Sequence, residues 1–245
     1  MRVAFFALLL GTLSVLFVDY RQLTANQGTA LAAPMPPILP AIDPAGPAQG
    51  PAPAITTSPD VLEQPLAITL QPGGVLALTG TFDLGAAARF ATEIEARGEY
   101  VATIVLDSPG GSVEDALAIA ALIHERAFGT AVAAGALCAS SCPLVLAAGV
   151  TRTASDQAAI GVHQIYAAQL SGDPQTALRV AGTAMADAQT TTARITRFLA
   201  TTGVDPAIWL HALETPPDRL YYLTPAEMTK YRLVTALQNQ PATGT

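Results

Sequence analysis

Lysine is almost missing from this chain: Lys230 is the single one among 245 residues, and arginine brings the basic total to 12 against 19 acidic residues, for a net charge of −7. With no cluster of basic side chains to neutralise phosphates, a nucleic-acid surface is excluded. One lysine near the C-terminal end also leaves little ground for a serine–lysine dyad, which needs its amine beside the nucleophile. Cysteine occurs only as Cys138 and Cys142, and no His/Cys/Asp/Glu spacing suited to zinc accompanies the pair. No metal or other cofactor is expected. Gly110–Gly111 does not continue into the glycine pattern of a dinucleotide site, and no Lys-Ser/Thr follows it to make a phosphate loop. There is no internal repeat.

What is present begins with an uncharged apolar run, Val3–Val18, preceded by Arg2 and followed by Asp19 and Arg21. As a helix it would rise roughly 24 Å, short of the roughly 30 Å hydrocarbon core, so flanking residues would help to span it. It reads as an export signal over residues 1–22. We expect a retained anchor with its N-terminus inside, because the best small-x-small cleavage triplet, Ala30-Leu31-Ala32, lies far downstream; a cleaved signal peptide is the alternative. Either way the remainder faces the periplasm, tethered or free. Residues 23–65 form a Pro/Ala-rich linker, within a stretch from Ala33 to Pro72 that holds 11 of the 19 prolines. One domain is expected over residues 66–236, and residues 237–245 are expected to be a disordered tail.

Within that domain Val75–Thr79 reads as a strand, Ala86–Arg97 as an amphipathic helix, Val101–Leu106 as a buried strand, Val113–Arg126 as a helix and Thr130–Ala134 as a strand. Such alternation predicts an α/β fold with parallel strands and right-handed crossovers. A small-residue helix with Pro143 in its first turn follows, then a strand over Ala158–His163. A long helix is capped by Asp173-Pro174 and ended by Gly203.

Ser108-Pro-Gly-Gly111 lies where a strand feeds a helix, and Ser112 with Asp115 makes a capping-box-like start. Glycine lets the backbone turn sharply and lets a ligand approach its N–H groups, while the helix N-terminus adds partial positive charge. The turn suits an anion or oxyanion, or is a plain βα turn. Other stretches narrow the choice: Leu78-Thr-Gly80, a serine nine residues before the Gly149 of Ala148-Gly149, His163-Gln164, and Tyr222-Leu-Thr-Pro-Ala-Glu with Tyr231-Arg-Leu-Val234. Taken in order, the set resembles the proteolytic subunit of Clp proteases, within the Clp/crotonase superfamily. The resemblance implies a parallel-sheet ββα superhelical core, a protruding long helix over Pro174–Thr202 and homo-oligomers acting on peptide or protein substrates.

Carried over position by position, the resemblance makes Ser140 similar to the nucleophile, His163 to its general base, and the N–H groups of Gly111 and Ser141 to the oxyanion hole. The residue types also suit a plainer role, because Ser140 and Ser141 are good helix caps and His163 could be a satisfied core histidine. Ser141 is a rival nucleophile. His124 and His211 read as structural. The third triad member departs from the pattern: Leu220 stands in the place of the family's aspartate. Asp218, two residues earlier, would point to the same side of an extended segment and is the candidate acid, with Glu214 and Asp205 in reserve. Cys138 and Cys142 flank the serine pair and form either a disulfide, if Cys138 precedes the helix, or two buried thiols. The competing function is a non-catalytic oligomeric scaffold of the same fold. A crotonase-type acyl-CoA enzyme does not fit an exported chain, and no ATP-driven unfoldase is expected where ATP is absent.

Overall fold

The computed structural model describes residues 12–18, 20–21, 48–49, 53–165 and 174–238. Two units make up the chain. In the N-terminal one, residues 1–35, residues 12–18 are helical and Leu13, Val15, Leu16 and Phe17 are all exposed. Among the described residues no helix is long and apolar enough to cross a membrane. The first half of the expected anchor, the Ala30–Ala32 triplet, most of the linker, the Asp173 cap and residues 239–245 of the expected tail lie outside the described residues; Leu237 and Gln238, expected to begin that tail, instead belong to a strand, Ala236–Gln238.

The second unit, residues 36–245, carries the fold. In chain order its elements are β1 (Ala48–Gln49), α1 (Pro59–Leu62), β2 (Ala67–Gln71), β3 (Val75–Thr79), α2 (Ala86–Arg97), β4 (Thr103–Asp107), α3 (Val113–Glu125), β5 (Gly129–Val132), β6 (Leu137–Ala139), α4 (Cys142–Leu146), β7 (Arg152–Ser155), β8 (Ala159–Val162), α5 (Pro174–Thr201), α6 (Ile208–Glu214), β9 (Leu220–Tyr222), α7 (Pro225–Lys230) and β10 (Ala236–Gln238). A six-stranded sheet runs in the order β2-β3-β4-β5-β7-β10, parallel throughout except for the β2–β3 hairpin. A second sheet, β1-β9-β8-β6, takes the strands that the first omits.

The alternation of strands and helices forms for the reason the apolar pattern implies. In α2 the spacing of Ala86, Phe90 and Ile94 puts one stripe in the core, and in α3 Val113, Ala116, Ala120 and Ile123 do the same. The Ser112 side chain caps α3 by accepting from the Asp115 backbone N–H. Asp115 in turn caps α2, whose own N-cap, Gly85, has no side chain: its Oδ1 accepts from the N–H groups of Gly85 and Ala87 at 3.1 and 3.0 Å.

Three expectations need correcting. The fold starts before Leu66, because Leu62 is fully buried, Thr56 bonds Gly135 and the Thr57 hydroxyl donates to Asp107 at 2.5 Å. The small-residue stretch after Gly135 first makes strand β6 and only then turns into α4. β7 was not anticipated, since it opens with Arg152; that guanidinium is buried and donates to the carbonyls of Gly149, Thr202, Arg232 and Leu233, which tie the strand to both long-range neighbours. Helix α5 has the expected extent. Its second half packs through Thr191, Ile195 and Leu199, at the i, i+4, i+8 spacing of one face, while no residue from 181 to 190 is buried.

Candidate active site

Strand pairing brings the singled-out residues together. β6 and β8 are parallel neighbours, with Ala139 opposite Gly161, so the residues just beyond their carboxyl ends, Ser140 and His163, meet. A parallel bridge between Ser108 and Cys138 fastens the end of β4 to β6, which places the Ser108–Gly111 turn beside the same point. His163 Nε2 lies 3.0 Å from Ser140 Oγ, and both side chains are about 1 % exposed. Ser140 adopts φ 65°, unusual for a residue with a side chain, and its N–H donates to the Gly161 carbonyl at 2.9 Å. Residues held in this way concentrate at functional sites.

Both glycines of the turn are dictated by contact. A Cβ on Gly110 would sit 2.5 Å from Ser140 Cβ and 2.8 Å from its Oγ, so the turn backbone lies directly against the serine. A Cβ on Gly111 would strike the Phe82 carbonyl oxygen at 2.4 Å. The φ values, 98° and 136°, also lie where only glycine is at ease. The bridge between Phe82 and Gly111 uses the Gly110 carbonyl and the Ser112 N–H, which leaves the Gly111 N–H on the other side of the backbone. Ser108 Oγ accepts from the Gly110 N–H and holds the turn in shape. Ser141 Oγ donates to the Gly111 carbonyl at 3.3 Å; its hydroxyl joins the two turns and is not the one set against the imidazole.

Burial holds the His163 imidazole well below its ordinary range, at about 4, so the ring is neutral at pH 7 and able to accept a proton. Its other nitrogen, Nδ1, is buried with no hydrogen-bond partner among the described residues. Asp218 does not supply one. Its side chain is 72 % exposed, beside Arg219 at 4.0 Å, in a turn closed by the Arg219 N–H to the Pro216 carbonyl. The two-residue alternation that favoured it holds only on a strand, and β9 begins after that turn. The reserve acids fail too: Glu214 is exposed at the end of α6, and Asp205 accepts from the Ala207 N–H. Val162 pairs with Tyr221 in the antiparallel β8–β9 ladder, so the next pair in register sets Leu220 opposite His163.

Cys138 and Cys142 are joined in a disulfide, with Cα atoms 5.1 Å apart and both residues fully buried. Cys138 belongs to β6 and Cys142 opens α4, the arrangement that lets an i, i+4 pair meet. His124 bonds the Ala148 carbonyl, and His211 stacks on Tyr221 at 4.3 Å and meets the Tyr231 hydroxyl at 3.0 Å; neither joins the site.

Residues 90–240 match the Clp protease family. The chain belongs to that family. Its mixed α/β architecture, with a mostly parallel sheet, is the Clp/crotonase-like fold, and members of the Clp protease family act on peptides and oligomerise. A search of curated proteins finds no match. An open cavity of about 420 Å³ is lined by Gln164, the residue after His163, together with Ile165, Ala188, Gln189, Thr192, Ala193 and Leu213. The side chains that α5 and the end of α6 contribute to this cavity are mostly ordinary alanine, threonine and leucine, which carry no local sequence signal.

Proposed function

We propose that this chain is a serine-type peptidase of the Clp type that acts outside the cytoplasm, in which Ser140 attacks the scissile carbonyl and His163 moves the proton. The observation that carries the reading is the 3.0 Å separation of Ser140 Oγ and His163 Nε2 beside the Gly110–Gly111 turn. As Oγ bonds to the carbonyl carbon, its proton passes to Nε2. The carbonyl oxygen gains charge and is met by the N–H groups of Gly111 and Ser141, where one lost donor costs about 10²–10³ in rate. The intermediate then expels the amine with the proton from Nε2, and water releases the acyl group by the same steps in reverse. The cavity beside Gln164, lined largely by apolar groups, suits an apolar substrate side chain.

Among the described residues no carboxylate bonds His163 Nδ1, so the pair would act as a weak relative of a full triad. That same lack favours a second reading, an oligomeric scaffold that has kept the fold while losing turnover. A fluorophosphonate probe separates the two. Peptidase function requires labelling at Ser140, abolished in Ser140→Ala and slowed at least a hundredfold in His163→Ala, with Ser141→Ala still labelled. A folded protein that resists the probe would be a scaffold. Export and tethering by Val3–Val18 belong to the same proposal and are tested by protease accessibility of the domain in spheroplasts. Self-association through α5, none of whose residues 181–190 is buried, is tested by sedimentation of residues 53–245, for which a clean monomer at micromolar concentration is the contrary result.

A further inference from the structure

The Cys138–Cys142 bridge is part of the site's architecture and not only of its core. Cys138 is the middle residue of β6, paired with Ile160 of β8 on one side and bridged to Ser108 on the other. Cys142 is the first residue of α4 and is followed by Pro143, which is pre-set for a helix start. Between them stand Ser140, in its left-handed conformation, and Ser141, whose hydroxyl holds the Gly111 carbonyl. Everything the proposed chemistry uses on the nucleophile side therefore lies inside one five-residue loop, closed at its ends by sulfur. A left-handed residue with a side chain costs about 1–2 kcal/mol and persists only where its surroundings over-determine it. The backbone bond from Ser140 to Gly161 supplies part of that determination, and the Gly110 contact leaves room for no bulkier arrangement.

We propose that the Cys138–Cys142 disulfide is a positioning device: it locks the turn from β6 to α4 so that the Ser140 hydroxyl stays aimed at His163 Nε2, and opening it loosens that aim. The inference rests on the peptidase reading only for its effect on rate; the geometric claim stands without it. Opening is a two-electron step. A dithiol reductant attacks one Sγ, the mixed disulfide resolves as the second thiol of the reductant closes its own ring, and Cys138 and Cys142 each leave as a thiol. With both sulfurs fully buried, this exchange has to wait for a local opening of the turn. The site would then keep its competence in an oxidising compartment and lose it slowly in a reducing one.

The test compares the oxidised protein with Cys138→Ala/Cys142→Ala and with wild-type protein reduced by dithiothreitol, its thiol content counted by mass after alkylation of the unfolded chain. Two readouts are taken: the ¹⁵N resonance of His163 Nε2, which reports the hydrogen bond from Ser140, and the rate of fluorophosphonate labelling. Ser140→Ala fixes the resonance for a lost bond. Far-ultraviolet circular dichroism checks that each form is folded, and the reduced wild-type serves if the double variant does not fold. The expected result is an Nε2 resonance moved towards the Ser140→Ala position, with labelling slowed at least tenfold. An Nε2 resonance unchanged in folded, bridge-free protein overturns the proposal whatever the labelling does. A resonance that moves in protein that no form of the probe ever labels supports the positioning role and removes the peptidase reading instead.

Discussion

Replacing Leu220 by aspartate should convert the Ser140–His163 pair towards a triad. The β8–β9 register sets Leu220 across from His163, and a Cβ on Gly161 would lie 3.2 Å from Leu220 Cδ2, so the leucine side chain is on the face that His163 shares with Gly161. Leu220 is 3 % exposed, so its removal forfeits about 2–3 kcal/mol of apolar burial. The new carboxylate is a poor guest in that environment unless it accepts from Nδ1–H, a charge-assisted bond that returns about 1.5–3 kcal/mol and satisfies the orphaned nitrogen. A net loss of about 2 kcal/mol is expected, visible as a lowered Tm. The catalytic effect runs the other way. A carboxylate within bonding reach favours the imidazolium and should lift His163 from about 4 into the ordinary histidine range. Loss of the acid from an evolved triad costs about 10⁴ in kcat, so an acid placed by a single substitution should recover about 10–100-fold. The assay is kcat/KM for a fluorogenic peptide, or probe labelling where turnover is too slow, as a function of pH, together with NMR titration of His163. The acid limb of the rate profile should move up with the histidine. A folded Leu220→Asp protein whose His163 still titrates near 4 at an unchanged rate would refute the register argument. Leu220→Asn, which offers an acceptor without the charge, should fall between the two.

Asp218→Asn should leave the labelling rate within about twofold and stability within about 0.5 kcal/mol, since the carboxylate is exposed and touches only Arg219; a hundredfold loss would restore it as the acid. Gly110→Ala should lower labelling more than a hundredfold and destabilise by more than about 2 kcal/mol, because the methyl would overlap Ser140 and the residue would be held at φ 98°; kinetics and urea melts on the variant check both. Acid should weaken the fold through His163. Its folded-state value, about 4, lies below the ordinary 6.5, so above pH 6.5 the ring is neutral in both states and contributes no slope, whereas between pH 6.5 and about 4 the unfolded chain takes up a proton that the native chain refuses. Stability should fall by about 3 kcal/mol over that window relative to His163→Gln, and urea midpoints that track together in the two proteins would contradict it.

The sequence pattern carried the parallel α/β core because α2 and α3 each present one apolar stripe between buried strands, and that signal is local. It also carried Ser140 and His163, whose meeting follows once β6 and β8 are neighbours. It did not carry β6 itself, whose three residues Leu137, Cys138 and Ala139 are all buried and so show no alternation; nor β7, whose opening Arg152 looks like a surface residue until its four carbonyl partners are counted. Only Gly149 is local; Thr202, just after α5, and Arg232 and Leu233, in the loop before β10, are 50 to 81 residues away, and no local window contains them. The misplaced acid has a related cause. Which side chain faces Nδ1 depends on where β9 begins, and the Pro216–Arg219 turn ends one residue before it. Asp218 therefore leaves the chain in a turn, into solvent, while Leu220 takes the position across from the imidazole. Two residues of register decide whether His163 is a neutral base on its own or one backed by a carboxylate. Among the described residues no carboxylate meets Nδ1 and burial keeps the ring neutral, so under the proposed peptidase reading the Gly110–Gly111 turn and the fixed Ser140 would supply what a carboxylate otherwise does.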